Sequence, residues 1–173
     1  MDWKFVDWKN VASEHCPVGS ALDLFGDRWS ILVIRDVMNG VRRFDELVER
    51  LSVSRATLSD RLRRLTEAGI LQPSDYEDSR GRVRTEYRLT EKGWDLRFVL
   101  VALREWGDRH VIGAGNEPLR LVERDSGHDV RLALIDRESG AVVDPRQVRQ
   151  VPGPGFTTKE SPGITTKEKG TGT

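Results

Sequence analysis

The chain has 173 residues, enough for one ordinary domain with its own hydrophobic core plus an appendage or a tail. It carries 28 basic and 28 acidic residues, so its total charge exerts no long-range attraction on a polyanion such as DNA. Any affinity for nucleic acid must therefore come from cations concentrated locally. The single cysteine excludes a disulfide within the chain, and we find neither a signal peptide nor a run of about eighteen apolar residues, so we expect a cytoplasmic protein without a membrane span.

Two short helices are the first elements predicted along the chain. Pro17 is typical of the first turn of a helix, and Gly26 ends the small apolar face that follows it. Asp27 is suited to cap a second helix, which stops at Asn39-Gly40. Most residues of this second helix are apolar, so we expect it to be buried over most of its circumference.

Residues 44–65 have the pattern of two helices joined by a tight turn. Apolar side chains recur at positions i, i+3, i+4 and i+7 from Phe44 to Leu51, as on one face of a helix. Ser54 is a good N-cap for the next helix, which ends at Ala68-Gly69 and has a core stripe of Leu58, Leu62 and Leu65. The short Ser52-Val53 link predicts that the two helices cross steeply.

A β-hairpin with a basic tip is predicted to follow. Its strands are Ile70–Gln72 and Arg82–Leu89, and Asp78–Gly81 forms the tip. The glycine lets the backbone approach a phosphate or a narrow minor groove. Basic charge is concentrated here: residues 80–88 hold four arginines and one acid, and residues 42–64 hold seven arginines and four acids.

These patterns together predict a helix-turn-helix followed by a wing, an arrangement that binds DNA. The first turns of the second helix contact bases in the major groove. Arg55 is suited to a guanine edge and Ala56 or Thr57 to a thymine methyl, whereas Arg61, Arg63 and Arg64 are better suited to phosphates. The predicted DNA-binding residues are Arg42, Arg43, Ser54, Arg55, Ala56, Thr57, Ser59, Arg61, Arg63, Arg64, Arg80, Arg82 and Arg84.

A long helix is predicted from Thr90 through about Val111. Its middle, residues 98–103, is apolar on all sides and therefore needs a partner surface beyond its own small domain. This pattern predicts a homodimer, with the aromatic arm at residues 1–11 docked at the same interface because it is too short to fold alone. The predicted interface residues are Trp3, Trp8, Trp94, Phe98, Val101, Leu103 and Trp106.

The remainder of the chain predicts a small β-hairpin appendage and a tail. Residues 119–143 form two related halves, each ending in a Ser-Gly turn. Residues 154–168 repeat a Pro-Gly-x-Thr-Thr-Lys-Glu pattern with too little apolar surface to order, so we expect disorder there. The predicted fold is mainly α with a small β-wing. Its predicted parts are a DNA-binding and dimerisation domain at 1–112, a linker at 113–118, the appendage at 119–151 and the tail at 152–173.

Several motifs in order resemble the HxlR-type winged helix-turn-helix regulators of bacteria. The resemblance covers about residues 16–110 and implies a homodimer on a partly palindromic operator, with the terminal helices forming the dimer. The motifs that carry it are Cys16-Pro17-Val18, Leu22-Asp23-Leu24-Phe25-Gly26-Asp27-Arg28-Trp29, Ile34-Arg35-Asp36, Arg42-Arg43-Phe44-Asp45-Glu46-Leu47, Leu58-Ser59-Asp60-Arg61-Leu62-Arg63-Arg64-Leu65, Tyr87-Arg88-Leu89-Thr90-Glu91-Lys92-Gly93 and Trp106-Gly107.

Two further features resemble parts of some relatives. Cys16 stands where some members carry a redox-sensing cysteine, and the adjacent His15 favours a thiolate; the alternative is a small buried apolar residue. The turns at Ser126-Gly127-His128 and Ser139-Gly140 resemble the knuckles of a zinc ribbon with serine in place of cysteine. Serine is not a useful zinc ligand, so we expect a metal-free hairpin.

The sequence thus predicts a sequence-specific DNA-binding transcriptional regulator that acts as a repressor, with double-stranded DNA and a second copy of the chain as partners. We expect no enzyme activity and no cofactor, because the three histidines lack nucleophile partners and there is no glycine-rich phosphate loop. Two alternatives stay open. One is a winged-helix module that binds an acidic protein instead of DNA. The other is a regulator controlled by an oxidant or a small molecule, through Cys16 or a pocket at the dimer interface.

Overall fold

A computed structural model of the chain describes Val11 and residues 16–156. These residues fall into two compact units, one of residues 21–132 and one of Val11, residues 16–20 and residues 133–156. None of the helices among them is both long and apolar enough to cross a lipid bilayer. In chain order the elements are α1 (Pro17–Phe25), α2 (Arg28–Met38), α3 (Phe44–Leu51), α4 (Arg55–Glu67), β1 (Leu71–Glu77), β2 (Val83–Leu89), α5 (Glu91–Asp95), α6 (Arg97–Gly107), a π-helical turn (Asp108–Ile112), β3 (Leu134–Ile135), β4 (Val142–Val143) and a 3₁₀ turn (Pro145–Gln147). The predicted mainly α fold with a small β-wing is confirmed, whereas the predicted domain boundaries stay a prediction.

The first helices begin and end where their capping residues predict. A Cβ atom on Gly26 would lie 2.6 Å from the Leu22 carbonyl oxygen, which explains why glycine follows α1. Asp27 caps α2 by accepting the amides of Trp29 and Ser30, each at 3.1 Å. Gly40, with φ +94°, follows the end of α2.

The core of the first unit forms where α2, α3, α4 and the β1–β2 hairpin meet. The predicted leucine stripe of α4 is confirmed, since its three leucines are fully buried. Burying a side chain of this size stabilises the fold by about 1.5–3 kcal/mol relative to leaving it exposed. The largest fully buried apolar side chains are Val33, Ile34, Val37, Leu47, Leu58, Leu62, Leu65, Ile70 and Leu71.

A buried aspartate joins α2 to α3. The Asp36 side chain is 1% exposed, and its Oδ1 atom accepts the Nε–H of Arg35 at 2.8 Å and lies 3.1 Å from Nε of Arg50. The Asp36 carbonyl accepts the amide of Val41 at 2.9 Å, where the chain leaves α2. One residue therefore fixes both the end of α2 and the position of α3 against it.

The β1–β2 hairpin is longer than predicted because β1 continues through Pro73. The strands pair antiparallel from Leu71–Leu89 to Glu77–Val83, and Pro73 lies opposite Tyr87. The Tyr87 amide donates to the Arg42 carbonyl at 2.9 Å, on the side of β2 away from β1. Pro73 therefore occupies a position whose amide would face outward, and its missing N–H removes no hydrogen bond from the hairpin.

The single long helix predicted from Thr90 to Val111 is wrong, because the helix is interrupted at Leu96. The Thr90 hydroxyl donates to the Gly69 carbonyl at 2.7 Å, which ties α5 to the base of the hairpin. The Leu96 amide then donates to the Gly93 carbonyl, three residues back, and this tighter turn separates α5 from α6. After α6 the chain widens into the π-helical turn and leaves it at Gly113, where φ is +93°.

A C-terminal β-hairpin is present, as predicted, but each Ser-Gly turn closes its own short pairing. β3 pairs antiparallel with β4 around Gly140, whereas Val122 and Asp129 form a separate bridge around Gly127. Each turn is capped in the same way by its own carboxylate. Glu123 accepts the amides of Asp125 and Ser126, and Asp136 accepts the amides of Glu138 and Ser139.

These caps are strong enough to change the titration of the carboxylates. The amides of Asp125 and Ser126 lower the pKa of Glu123 to about 2, and the amide of Ser139 lowers the pKa of Asp136. Within residues 16–156, no group of three or more histidine, cysteine or acidic side chains is placed to hold a metal ion.

The close packing of Gly93 in α5 against the hairpin can be tested by substitution. A Cβ atom at Gly93 would overlap the Ile70 carbonyl oxygen and lie 2.9 Å from a methyl group of Leu89. We expect Gly93→Ala to lower the free energy of unfolding by about 1–3 kcal/mol in urea titrations. Gly107→Ala is the control, because nothing lies within 4 Å of that position; the greater helix propensity of alanine should leave stability unchanged or increased. Equal stabilities of the two variants would contradict this packing.

The Asp36 contacts predict a measurable contribution to stability. Asp36→Asn keeps the size of the side chain but removes the charge that Arg35 and Arg50 share. We expect the free energy of unfolding to fall by about 2 kcal/mol, since hydrogen bonds to charged groups contribute that order of energy. Asp95→Asn, at an exposed position on α5, is the charge-matched control in the same urea titrations. The prediction fails if both variants unfold at the same urea concentration.

Candidate nucleic-acid interface

The seating of α4 determines which of the predicted residues face solvent. Because its leucines point into the core, the first turn of α4 is exposed at Ser54, Arg55 and Ala56 and half-buried at Thr57. Ser59 is exposed one turn later. The Ser54 oxygen accepts the Thr57 amide at 3.1 Å, and the two hydroxyl oxygens lie 2.8 Å apart. The N-cap therefore also orders the hydroxyl groups that this turn presents.

Arg55 is held by two neighbours from the start of α3. Its Nη1 atom donates to Oδ1 of Asp45 at 2.7 Å, and its guanidinium carbon lies 4.7 Å from the ring centre of Phe44. Both charged side chains are nevertheless well exposed, at 67% for Arg55 and 73% for Asp45. An exposed ion pair contributes little to stability, so the arginine can leave it for another acceptor.

The other arginines of α4 are also paired within the chain. Arg63 donates to Asp60 at 2.7 Å and to Glu67 at 2.8 Å, and its hydrogen bond lowers the pKa of the Asp60 carboxyl. Arg64 donates to the Asp23 carbonyl at 3.5 Å. Arg63 and Arg64 are both exposed, as expected for residues that contact phosphate.

Arg61 differs from the other predicted DNA-binding arginines. Its side chain is only 21% exposed, with Nε 3.2 Å from Oδ1 of Asp27 and Nη1 3.4 Å from Oδ2 of Asp60. Partial burial raises the pKa of Asp27, but hydrogen bonds from Ser30 and the charge of Arg61 outweigh it, so that pKa is lowered. Arg61 thus braces α4 against the N-cap of α2, a role that sequence analysis did not assign to it.

The tip of the hairpin is organised by one carboxylate. Asp78 accepts the amide of Arg80 at 2.9 Å, the amide of Arg82 at 3.0 Å and the Nε–H of Arg84 at 2.9 Å. These bonds, the Arg82 amide foremost, hold the pKa of Asp78 below its ordinary value. Gly81 completes the turn with φ +70°. The side chains of Arg80 and Arg82 are exposed and have no ion-pair partner in the part of the chain that the structure describes.

Arg42 and Arg43 lie beside β2 and extend the hairpin by a short third segment. Arg43 forms a bridge with Glu86, and the Arg42 carbonyl accepts the Tyr87 amide. The guanidinium carbon of Arg43 lies 4.4 Å from the ring centre of Tyr76 on β1. An open cleft of about 550 Å³ separates the first turn of α3 from the hairpin and is lined by Arg43, Phe44, Asp45, Glu46, Tyr76, Val83, Arg84 and Thr85.

Four residues that support this surface were not among the predicted DNA-binding residues. Asp78 had a local signal, because an aspartate shortly before a turn glycine often accepts the amides of the turn. Asp45, Phe44 and Tyr76 had none, since each meets its arginine through the crossing of separate elements. Their roles depend on tertiary geometry.

The predicted dimer residues on α5 and α6 do not lie on one face. Trp94, Phe98, Leu103 and Trp106 are exposed, whereas Val101 lines a cleft formed with residues 117–130 of the same chain. The Arg104 guanidinium donates to the Leu119 carbonyl, and Glu105 accepts the Leu132 amide at 2.7 Å on this side. Part of the apolar surface of α6 is therefore covered by residues of its own chain.

Of the sites predicted near the N-terminus, only Cys16 lies among the described residues. Trp3 and Trp8 lie outside the described residues, as does His15. Cys16 is a half-buried free thiol immediately before α1.

Comparisons with known proteins identify this architecture. The family model of the HxlR-like helix-turn-helix matches residues 24–113. Rv3095 of Mycobacterium tuberculosis, named an uncharacterized HTH-type transcriptional regulator, is 41% identical over 142 residues, which cover 82% of this chain and 89% of that protein.

Two solved structures are also similar, PA1607 and the Pseudomonas aeruginosa protein PA1374, both described as candidate transcription factors. Each is 37% identical to this chain, and each match covers 97% of the solved chain. The match to PA1607 covers 82% of this chain with a TM-score of 0.69, and the match to PA1374 covers 84% with a TM-score of 0.57. These matches exceed the 90 residues of the helix-turn-helix, so the likeness extends beyond that domain. The chain therefore belongs to the HxlR-like helix-turn-helix family of DNA-binding transcriptional regulators.

Proposed function

We propose that the protein is a homodimeric repressor that binds a palindromic operator through α4 and the β1–β2 wing. One observation carries the proposal: the exposed first turn of α4 and the exposed wing tip belong to one compact unit, and Arg80 and Arg82 at that tip lack an intramolecular anion among the described residues. A cationic helix end fits the major groove of a duplex, and a cationic hairpin tip beside it fits the flanking phosphates.

The two elements have different tasks in this proposal. Arg55, Ala56, Thr57 and Ser59 face base edges in the major groove. The phosphate contacts come from Arg42, Arg43, Arg63, Arg64, Arg80, Arg82 and Arg84. Arg61 is the weakest of the predicted contacts, because its half-buried side chain is already engaged by Asp27.

Dimer formation is supported by an apolar strip on α6 that no other described residue covers. Phe98, Ala102 and Trp106 follow one another at intervals of four residues, and Phe98 and Trp106 are 67% and 61% exposed. In the proposed dimer, two-fold symmetry places the two α4 helices about 34–36 Å apart, the spacing of successive major grooves. A dimer bound in this way occludes the DNA it covers, which is why we propose repression.

The division between base and phosphate contacts is tested by two substitutions. Arg55→Ala should lower discrimination between a selected operator and random DNA by about 1–3 kcal/mol, because a base contact is lost. Arg80→Ala should weaken binding to both DNAs and reduce the salt slope by about one, because a phosphate contact is lost. Fluorescence anisotropy titrations at several salt concentrations measure both effects.

Arg137→Ala removes an exposed arginine from the other compact unit and serves as the control for net charge. Wild-type affinity and salt slope in both Arg55→Ala and Arg80→Ala would rule out this docking. Absence of DNA binding by the wild-type chain at low salt would favour the protein-interaction module instead.

The proposed dimer strip is tested by placing a charge on it. Phe98→Asp and Trp106→Asp should each shift the protein from dimer to monomer in sedimentation equilibrium at micromolar concentration, since a buried unpaired carboxylate opposes association. Leu119→Asp changes an equally exposed apolar side chain away from this strip and should leave the mass unchanged. Dimers of unchanged stability in both strip variants would show that the interface lies elsewhere.

A further inference from the structure

An acidic side chain lies inside the candidate nucleic-acid interface, where a polyanion is expected to bind. Asp45 is the second residue of α3 and is 73% exposed beside the first turn of α4. It lines the cleft between α3 and the wing, together with Arg43 and Arg84. A carboxylate at this place repels phosphates, so its presence needs a reason other than affinity.

The contacts of Asp45 supply that reason through Arg55. The guanidinium of Arg55 has the Asp45 carboxylate on one edge, at 2.7 Å, and the Phe44 ring across its face, at 4.7 Å. Two contacts in different directions restrict the rotation of a long, flexible side chain. Of the five N–H donors of an arginine, Asp45 engages only Nη1, so donors remain for the two acceptors of a guanine edge.

The charge of Asp45 extends beyond this pair. The pKa of Arg84 is raised chiefly by its hydrogen bond to Asp78, with a smaller contribution from Asp45. The carboxylate thus acts on cations of both α4 and the wing. A random duplex offers Arg55 mainly phosphate, which must displace Asp45 against the repulsion of like charges. A matching guanine offers two aligned acceptors without a formal charge, so it can bind Arg55 while Asp45 stays in place.

We propose that Asp45 is a positioning residue that orients Arg55 for base recognition and lowers the affinity of the protein for non-operator DNA. This inference rests on the proposed function, because it assumes that Arg55 contacts a base. It concerns the ratio of two affinities and not the existence of DNA binding.

The test uses the full chain and two duplexes of equal length. One is recovered by selection from a random library with the wild-type protein, and the other is its scrambled version. We expect Asp45→Asn to bind the scrambled duplex about fivefold more tightly, because removing one unit charge near a phosphate changes the energy by about 1 kcal/mol. We expect the ratio of the two affinities to fall at least as much, since Arg55 is also less restricted.

Two further variants separate positioning from a general effect of charge. Asp125→Asn changes the net charge equally on the segment after α6 and should leave the ratio unchanged. In an Arg55→Ala background, Asp45→Asn should leave the ratio unchanged as well, because the residue through which Asp45 acts is gone.

The outcomes are distinct. A wild-type protein that discriminates, with Asp45→Asn discriminating equally well, overturns this inference and leaves the proposed function intact. An equal fall of the ratio in the Arg55→Ala background also overturns it, because Asp45 would then act only as a surface charge. A wild-type protein that does not discriminate between the duplexes overturns the proposed function and this inference together.

Discussion

The three leucines of α4 pack against α2 and β1, and this burial sets the direction of every polar side chain on the helix. Moving α4 by a fraction of a turn would require a leucine to leave the core, at a cost of about 1.5–3 kcal/mol for each one exposed. The arginine-bearing side of the helix is therefore fixed by apolar contacts on its opposite side. Arg61 and the N-cap of α2 add a polar brace in the same place.

Local charge pairing is the second organising feature of the interface. The chain has equal numbers of basic and acidic residues, and most interface arginines have a carboxylate partner nearby. In the proposed docking, each phosphate contact is then an exchange of anions, in which a phosphate replaces a carboxylate. Such an exchange gives less affinity per arginine than an unpaired cation would, but it disfavours contacts of poor geometry. At the wing tip, Arg80 and Arg82 have no carboxylate partner among the described residues, so a phosphate can bind them without displacing an anion.

The local elements of the fold were predictable wherever a capping residue and a periodic apolar face agreed. Asp27 and Ser54 cap the helices that sequence analysis assigned to them. The errors arose where tertiary contacts override local preference. Pro73 usually ends a strand but is tolerated in β1 because its nitrogen faces outward, and Leu96 interrupts a periodic helix because Thr90 and Gly93 are tied to the hairpin. The pairing of Arg55 with Asp45, ten residues apart, has no sequence signal at all.

Pro73 also determines how the wing behaves toward other molecules of the same kind. A strand at the margin of a sheet displays amides and carbonyls that can recruit a strand from a neighbour, which is a common start of aggregation. The outer edge of β1 lacks an amide donor at Pro73. The outer edge of β2 is already paired at residues 86–87 with the segment at Arg42 and Arg43. The wing can therefore extend from the protein body toward a nucleic acid at high protein concentrations without becoming a nucleus for sheet growth.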